Sequence, residues 1–186
     1  IRPGDIVILV RSRGRFFSAM LRALKMRKIP VSGADRLKLQ DELVIRDLLV
    51  IAEAVLLKDD DLALATALRT PLFALSEAAL ERLARNRRGS LWEAVQADAA
   101  PDVRPLAAAL ARLHAMATHV SPFEFFATLL HEPAPGRPEM NGRQAFLTRL
   151  GLDAADPIDA FLSEALAFTG NEPGALLLFV LAQRER

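Results

Sequence analysis

The spacing of apolar residues near the start of the chain changes twice, and each change predicts a different element. Residues 6–10 form an unbroken apolar run, which is typical of a strand covered on both faces, usually in a parallel sheet. Apolar residues then recur every three or four positions over 14–28, which predicts an amphipathic helix. Pro30 ends that helix, and residues 29–32 are predicted to form a second short strand. Together these elements predict a parallel βαβ unit.

Beyond residue 40 the pattern predicts helices. Residues 41–57 are apolar nearly all round, which predicts a buried central helix. Residues 132–138 are rich in proline and are predicted to be a loop. Side chains that commonly cap helix N-termini stand before several apolar segments. They lie at residues 59–61, Ser76, Ser90 and Ser121.

Composition narrows the class of protein. The 186 residues are 52% hydrophobic and 25% charged, which is enough apolar material for a folded core. The absence of cysteine removes disulfides and thiolate chemistry and fits a reducing compartment, so we expect a cytoplasmic protein. Charged residues interrupt the longest apolar stretch, 43–57, so no membrane span is predicted. We expect both ends of the sequence to lie inside a longer protein.

Arg11 is the first candidate for a functional side chain. It follows the predicted strand directly, and ligands of open α/β sheets bind at the carboxyl ends of strands. A guanidinium group at that edge suits a phosphate. An arginine that extends from a strand end into water explains the same pattern, and on spacing alone this second interpretation is the more common one.

Positive charge is concentrated in two places. Residues 1–30 contain eight basic side chains and one acidic side chain, although the whole chain has a net charge of only +1. Such a basic N-terminal segment suggests an anionic partner. A helix face exposed to solvent explains the same charges equally well. A second basic cluster, Arg82, Arg85, Arg87 and Arg88, precedes Gly89. Phosphate contact and a cation-favouring helix end both explain it.

Other chemistry is largely excluded. The sequence has no phosphate-binding glycine-rich loop, and its three histidines are not spaced as metal-ligand pairs, so no metal site is predicted. Residues 59–61 are three aspartates that could recruit a divalent cation, but a helix cap explains them more simply. Trp92 is predicted to be a core residue instead of a stacking platform for a base. No set of nucleophile, base and oxyanion donors is present.

Several segments resemble one family of enzymes. Residues 3–13 are similar to helicase motif IV of the UvrD/Rep-type superfamily 1 DNA helicases, and residues 28–34 to the strand that follows it. Residues 45–49 resemble the family segment that pairs a basic residue with an aspartate, and 58–73 its acidic element and Thr-Pro pair. Three segments are closer still to AddA, the family of helicase–nuclease subunits in double-strand break repair. These segments are 33–37, 71–76 and 90–94.

The resemblance implies roles for particular residues. Arg11 would reach the γ-phosphate of ATP and would act in catalysis. ATP and Mg²⁺ would be bound in the full-length parent. The chain alone would hold neither ATP nor Mg²⁺ and would be inactive. DNA and an AddB-like subunit would be the partners, and no membrane would be involved.

Three features of the sequence depart from the family. Val10 replaces the adenine-stacking tyrosine, Val44 replaces a glutamate, and residues 73–75 replace the Gly-Ile-Gly turn that grips duplex DNA. The arginines expected to contact DNA are Arg13, Arg15, Arg36, Arg85, Arg87 and Arg88.

The expected fold is mainly α-helical, with a small N-terminal parallel βαβ element. Residues 1–40 would begin a second RecA-like domain, and 41–186 would form a bundle-like helical insertion, domain 2B. The expected function is part of an ATP-dependent DNA helicase with exonuclease activity. One alternative is a UvrD- or RecB-like helicase without its own nuclease. Another is a helical protein-interaction module with no catalytic role.

Overall fold

The computed structural model describes residues 2–9, 15–29, 31, 39–85, 87–169 and 173–185. The chain divides into two compact units, Ile1–Lys38 and Leu39–Arg186. Most of the described residues lie in α-helices, as the sequence predicts. No helix among them is both long enough and apolar enough to cross a membrane.

The described residues of the N-terminal unit contain the predicted helix but not the predicted strands. Helix α1 spans Arg15–Met26, and its stripe of Phe17, Met20, Leu21 and Leu24 is half-buried. Residues 6–9 form no strand, and their side chains are 50% to 91% exposed. The parallel βαβ prediction is therefore wrong for the described residues, because Ile29 and Val31 are not in a strand either. An apolar run signals only a tendency toward burial, whereas a strand also needs a neighbouring strand for its backbone hydrogen bonds.

Helix α2, Leu43–Leu56, is the centre of the second unit and confirms the predicted buried helix. Nine of its residues are buried. It packs against four other helices, α3, α6, α9 and α10. The helices that follow it in the described residues are α3 Asp61–Arg69, α4 Glu77–Ala84, α5 Leu91–Ala97, α6 Arg104–Ala117, α7 Pro122–His131, α8 Gly142–Leu150, α9 Ala155–Ala167 and α10 Ala175–Arg184.

The predicted helix caps are confirmed. The carboxylate of Asp60 accepts a hydrogen bond from the Ala63 backbone at the start of α3, and Ser76 caps α4 in the same way. Ser90 and Ser121 each belong to a capping box with the glutamate three residues later. These side chains satisfy backbone N–H groups that have no partner within the helix, so each helix start is determined locally.

The segment predicted as a loop at 132–138 forms an antiparallel hairpin instead. Strand β1 is Pro133–Ala134 and strand β2 is Arg137–Asn141. The Gly136 N–H donates to the Leu72 carbonyl at 3.1 Å, and a Cβ on Gly136 would lie 1.9 Å from the Phe73 carbonyl oxygen. This hairpin is held by close contact with a turn about sixty residues earlier, and the proline-rich composition alone gives no sign of that contact.

Aromatic residues fill the core between α7, α9 and α10. Phe126 packs edge-to-face against Phe161 at 4.7 Å between ring centroids, and Phe161 packs against Phe179 at 5.5 Å. Trp92 lies in the core as predicted, with its ring edge-on to His114. The Nδ1 atom of His114 hydrogen-bonds with the Val55 carbonyl at 2.6 Å, which ties α6 to the end of α2.

Candidate functional site

A groove of about 750 Å³ opens in the second unit between α2, α3, α10 and the short 3₁₀ helix Leu39–Asp41. Its lining combines carboxylates, arginines and exposed leucines. Because α2 is the central helix, its buried face packs in the core while its other face forms the floor of the groove.

Asp47 is the most perturbed carboxylate in this groove. It lies in α2 between Arg46 and Leu48 and is half-buried, and burial raises the pKa of its carboxyl from 3.8 to about 6. Among the described residues it has no hydrogen-bond or ion-pair partner. Desolvation without a compensating partner disfavours the charged form, which is why the pKa rises.

Two ion pairs flank Asp47. The Nε and Nη2 atoms of Arg184 donate to the two carboxylate oxygens of Glu53 at 2.7 and 2.5 Å. This bidentate contact links α10 to α2 and raises the pKa of Arg184. On the other side, Arg46 donates from Nε to the Gln40 carbonyl at 2.9 Å, and its Nη2 lies 3.6 Å from Asp41. Both arginines of the groove are therefore already engaged by groove residues.

A buried glutamine supports the same wall. Gln183 is only 2% exposed, and its amide donates to Glu164 at 3.0 Å while its oxygen accepts from Gln40 at 3.0 Å. A buried amide with both ends paired holds its neighbours in fixed positions. This network connects α9, α10 and the 3₁₀ helix behind the groove.

The chemistry of the groove follows from the side chains that line it. Among the described residues, no group of three side chains could hold a metal ion. The described lining residues include no serine or histidine, and the hydroxyl of Thr66 donates to the Leu62 carbonyl at 2.8 Å. What the groove offers is one poorly solvated carboxylate surrounded by apolar surface and by arginines that are already paired.

The residues predicted to contact ATP and DNA are only partly described. Arg11, Arg13 and Arg36 lie outside the described residues, so their roles stay predictions. Arg15 is the first residue of α1, and its side chain lies outside the described part. The contact between Arg11 and phosphate therefore rests on the sequence resemblance alone.

The second basic cluster is largely paired within the protein. Arg85 forms an ion pair with Glu81, and Arg87 forms one with Asp61. The pKa of Asp98 is lowered mainly by a hydrogen bond from the Ala100 backbone N–H, and also by Arg82, which donates to Asp98 at 2.5 Å. Their DNA contacts stay predictions, and any phosphate would compete with these acidic partners.

Arg88 differs from the rest of that cluster. It is exposed and has no ion-pair partner among the described residues. Three arginines of this cluster, Arg85, Arg87 and Arg88, are predicted to contact DNA. Within the described part of the chain, Arg88 is the one whose charge no acidic side chain neutralises.

The turn at 73–75, which stands where the resembling family has its DNA-gripping Gly-Ile-Gly, is closed on itself. Phe73 and Leu75 are buried. The Ala74 N–H donates to the Thr70 carbonyl at 2.8 Å, and the Leu75 N–H donates to the Leu68 carbonyl at 2.9 Å. Backbone amides that are already paired are not available to bind a phosphate.

Sequence reasoning missed the groove as a site. The signal was Asp47 itself, a carboxylate in a helix that is mostly apolar. The groove beside it also needs α10, which lies far along the chain. No family model, curated protein or solved structure matches this chain. The groove is therefore interpreted from its own chemistry.

Proposed function

We propose that this chain is part of an AddA-like, ATP-dependent DNA helicase–exonuclease subunit that acts in recombinational double-strand break repair in the cytoplasm. One observation carries the proposal. Three segments that carry the resemblance, 45–49, 58–64 and 68–73, lie on α2, on α3 and its cap, and on the turn that follows α3. Helices α2 and α3 pack directly against each other, so these segments share one continuous block of structure.

The described residues do not form an ATP site by themselves. The sequence has no phosphate-binding glycine-rich loop, and the described part contains no metal-ligating group of three side chains. Phosphoryl transfer depends on such groups to position the phosphates and neutralise their charge. The rest of a longer protein would supply them, and this chain would contribute the phosphate contact of Arg11.

The helical unit is better suited to a protein partner than to DNA. Residues 39–186 contain twenty-one acidic and fourteen basic side chains, so the unit is net negative. Nucleic-acid affinity comes mainly from neutralising phosphates, and negative charge works against it. This observation favours a second candidate function, a helical protein-interaction module. Within a helicase it would be compatible with contact between this unit and an AddB-like subunit.

The proposal is tested on the full-length protein, by measuring ATP hydrolysis with and without single-stranded DNA. Arg11→Ala should lower turnover by up to about 10³-fold and change ATP affinity little, because transition-state arginines contribute that much where measured. Arg149→Ala, at an exposed arginine of α8 that has no assigned contact with ATP or DNA, is the matched control and should leave the rate unchanged.

Three outcomes separate the candidates. Wild-type protein without DNA-stimulated ATP hydrolysis, or a folded Arg11→Ala protein with an unchanged rate, would overturn the helicase proposal. DNA-stimulated hydrolysis without degradation of DNA ends would favour a UvrD- or RecB-like enzyme that lacks a nuclease. ATP hydrolysis by the present 186-residue chain alone would contradict the assignment of the ATP site to a longer protein.

A further inference from the structure

The groove around Asp47 has negative charge that its own arginines leave uncompensated. Arg46 is next to Asp41, and Arg184 makes a bidentate contact with Glu53. Asp47 and Asp60 also line the groove, and neither has an ion-pair partner among the described residues. Asp60 accepts the capping hydrogen bond at the start of α3. Asp47 is then the lining carboxylate that has no partner within the described part of the chain.

The same groove exposes apolar surface. Leu43 at the start of α2 is 57% exposed, and Leu62 in the first turn of α3 is 78% exposed. Both residues line the groove. A concave surface that combines exposed leucines with a poorly solvated carboxylate is typical of a binding site for an amphipathic ligand.

We propose that this groove binds a short segment of another protein that presents a lysine or arginine between apolar side chains, with the cation against Asp47 and the apolar side chains against Leu43 and Leu62. Charge complementarity selects this occupant. A cation would compensate Asp47 after both leave water, whereas a phosphate backbone would meet uncompensated negative charge. The inference stands apart from the proposed helicase function, since it uses only groove residues.

The size of the groove limits the ligand. A volume of about 750 Å³ accommodates a few side chains and not a whole domain. One or two turns of helix, with a basic residue and apolar residues three or four positions away on either side, would place all three groups on one face. The raised pKa of Asp47 fits a carboxylate that lacks its partner in the free chain, because an incoming cation would favour the ionised form.

The test selects ligands from a displayed library of random 16-residue peptides. The 186-residue chain is immobilised, and excess Asp47→Asn chain in solution removes peptides that bind elsewhere. Enriched peptides should carry a lysine or arginine flanked by apolar residues. Their dissociation constants should rise about tenfold to a hundredfold for Asp47→Asn, since truncating one partner of a desolvated charge pair has a large effect.

Matched variants control for folding and for general charge. Glu139→Gln removes an exposed carboxylate on β2, outside the groove, and should leave peptide affinity unchanged. Leu62→Ser changes a largely exposed side chain and therefore removes little core packing, yet it should weaken binding several-fold. This second variant keeps the test decisive if Asp47→Asn folds poorly.

Specific outcomes would overturn the proposal. The proposal is wrong if no selected peptide prefers the wild-type chain, or if the enriched peptides contain no lysine or arginine. It is also wrong if the peptides bind the wild-type and Leu62→Ser chains with equal affinity. Displacement of the selected peptides by millimolar MgCl₂, with matching shifts in the Asp47 carboxyl NMR signal, would assign the groove to a metal ion instead. Displacement by duplex DNA would assign it to nucleic acid.

Discussion

Replacing Asp47 with asparagine should stabilise the chain at neutral pH and much less near pH 4. The native pKa of Asp47 is about 6, against the usual 3.8. Between these two values the unfolded chain has lost the proton that the native protein retains, so stability falls as the pH rises. Above pH 6 both states are ionised and the full cost of holding a desolvated charge is present. Asparagine keeps a similar shape but never ionises, so it escapes this cost.

The magnitude follows from the change in pKa. One pKa unit corresponds to 1.36 kcal/mol, so the rise from 3.8 to about 6 corresponds to about 3 kcal/mol. Asp47 is only half-buried and water screens part of the effect, so we expect roughly half of that value. The free energy of unfolding of Asp47→Asn should therefore exceed that of wild type by about 1–2 kcal/mol more at pH 7.5 than at pH 4.

The assay is urea unfolding followed by tryptophan fluorescence at several pH values between 4 and 7.5. Trp92 is the only tryptophan and is 8% exposed in the same unit as Asp47, so its emission reports the unfolding of that unit. Other ionisable groups are common to both proteins and cancel in the difference. Glu139→Gln, at an exposed carboxylate, should show no such pH-dependent difference. A difference between Asp47→Asn and wild type that stays constant across this pH range would refute the reasoning.

The remaining predictions concern the hairpin and the basic cluster. Gly136→Ala should lower the melting temperature and cost about 2 kcal/mol or more, because its Cβ would meet the Phe73 carbonyl oxygen at 1.9 Å. Gly4→Ala, where a Cβ meets nothing within 4 Å, should be neutral. The chain should bind duplex DNA weakly, with most binding lost at physiological salt, as measured by fluorescence anisotropy. Arg88→Ala should reduce that binding and lower the salt slope by about 1, whereas Arg87→Ala should mainly reduce thermal stability because Arg87 holds Asp61. Tight, salt-resistant binding, or a larger effect on DNA from Arg87→Ala than from Arg88→Ala, would contradict the assignment.

The helices could be predicted because their signals are local. The Ser121 capping box lies within four residues, and the buried character of α2 is visible in its own sequence. Caps and apolar periodicity depend on residues within one or two helical turns of each other, and such residues are already close together in the sequence.

The predictions of a loop at 132–138 and of a strand at 6–10 were wrong for the opposite reason, because strand pairing is not local. Strand pairing depends on which distant segment lies alongside, and an apolar run has no information about its neighbour. Residues 6–9 have strand-like composition but no paired strand among the described residues, whereas Pro133 and Ala134 have loop-like composition and form one. In the hairpin, contact between Gly136 and the turn at Phe73 decides the outcome.

The pairing of charged side chains also depends on distant residues, and it bears directly on function. Along the sequence, Arg85 and Arg87 belong to a basic cluster, but in the structure Glu81 and Asp61 neutralise them. Asp47, which stands beside Arg46 in the sequence, has no cationic partner among the described residues because Arg46 contacts Gln40 and Asp41. The basic cluster therefore has less free positive charge than its sequence indicates, and the groove keeps a carboxylate that no described cation neutralises. If the chain is part of a helicase, the basic first thirty residues are the better candidates for nucleotide and DNA contacts. The helical unit is then the better candidate for holding another protein.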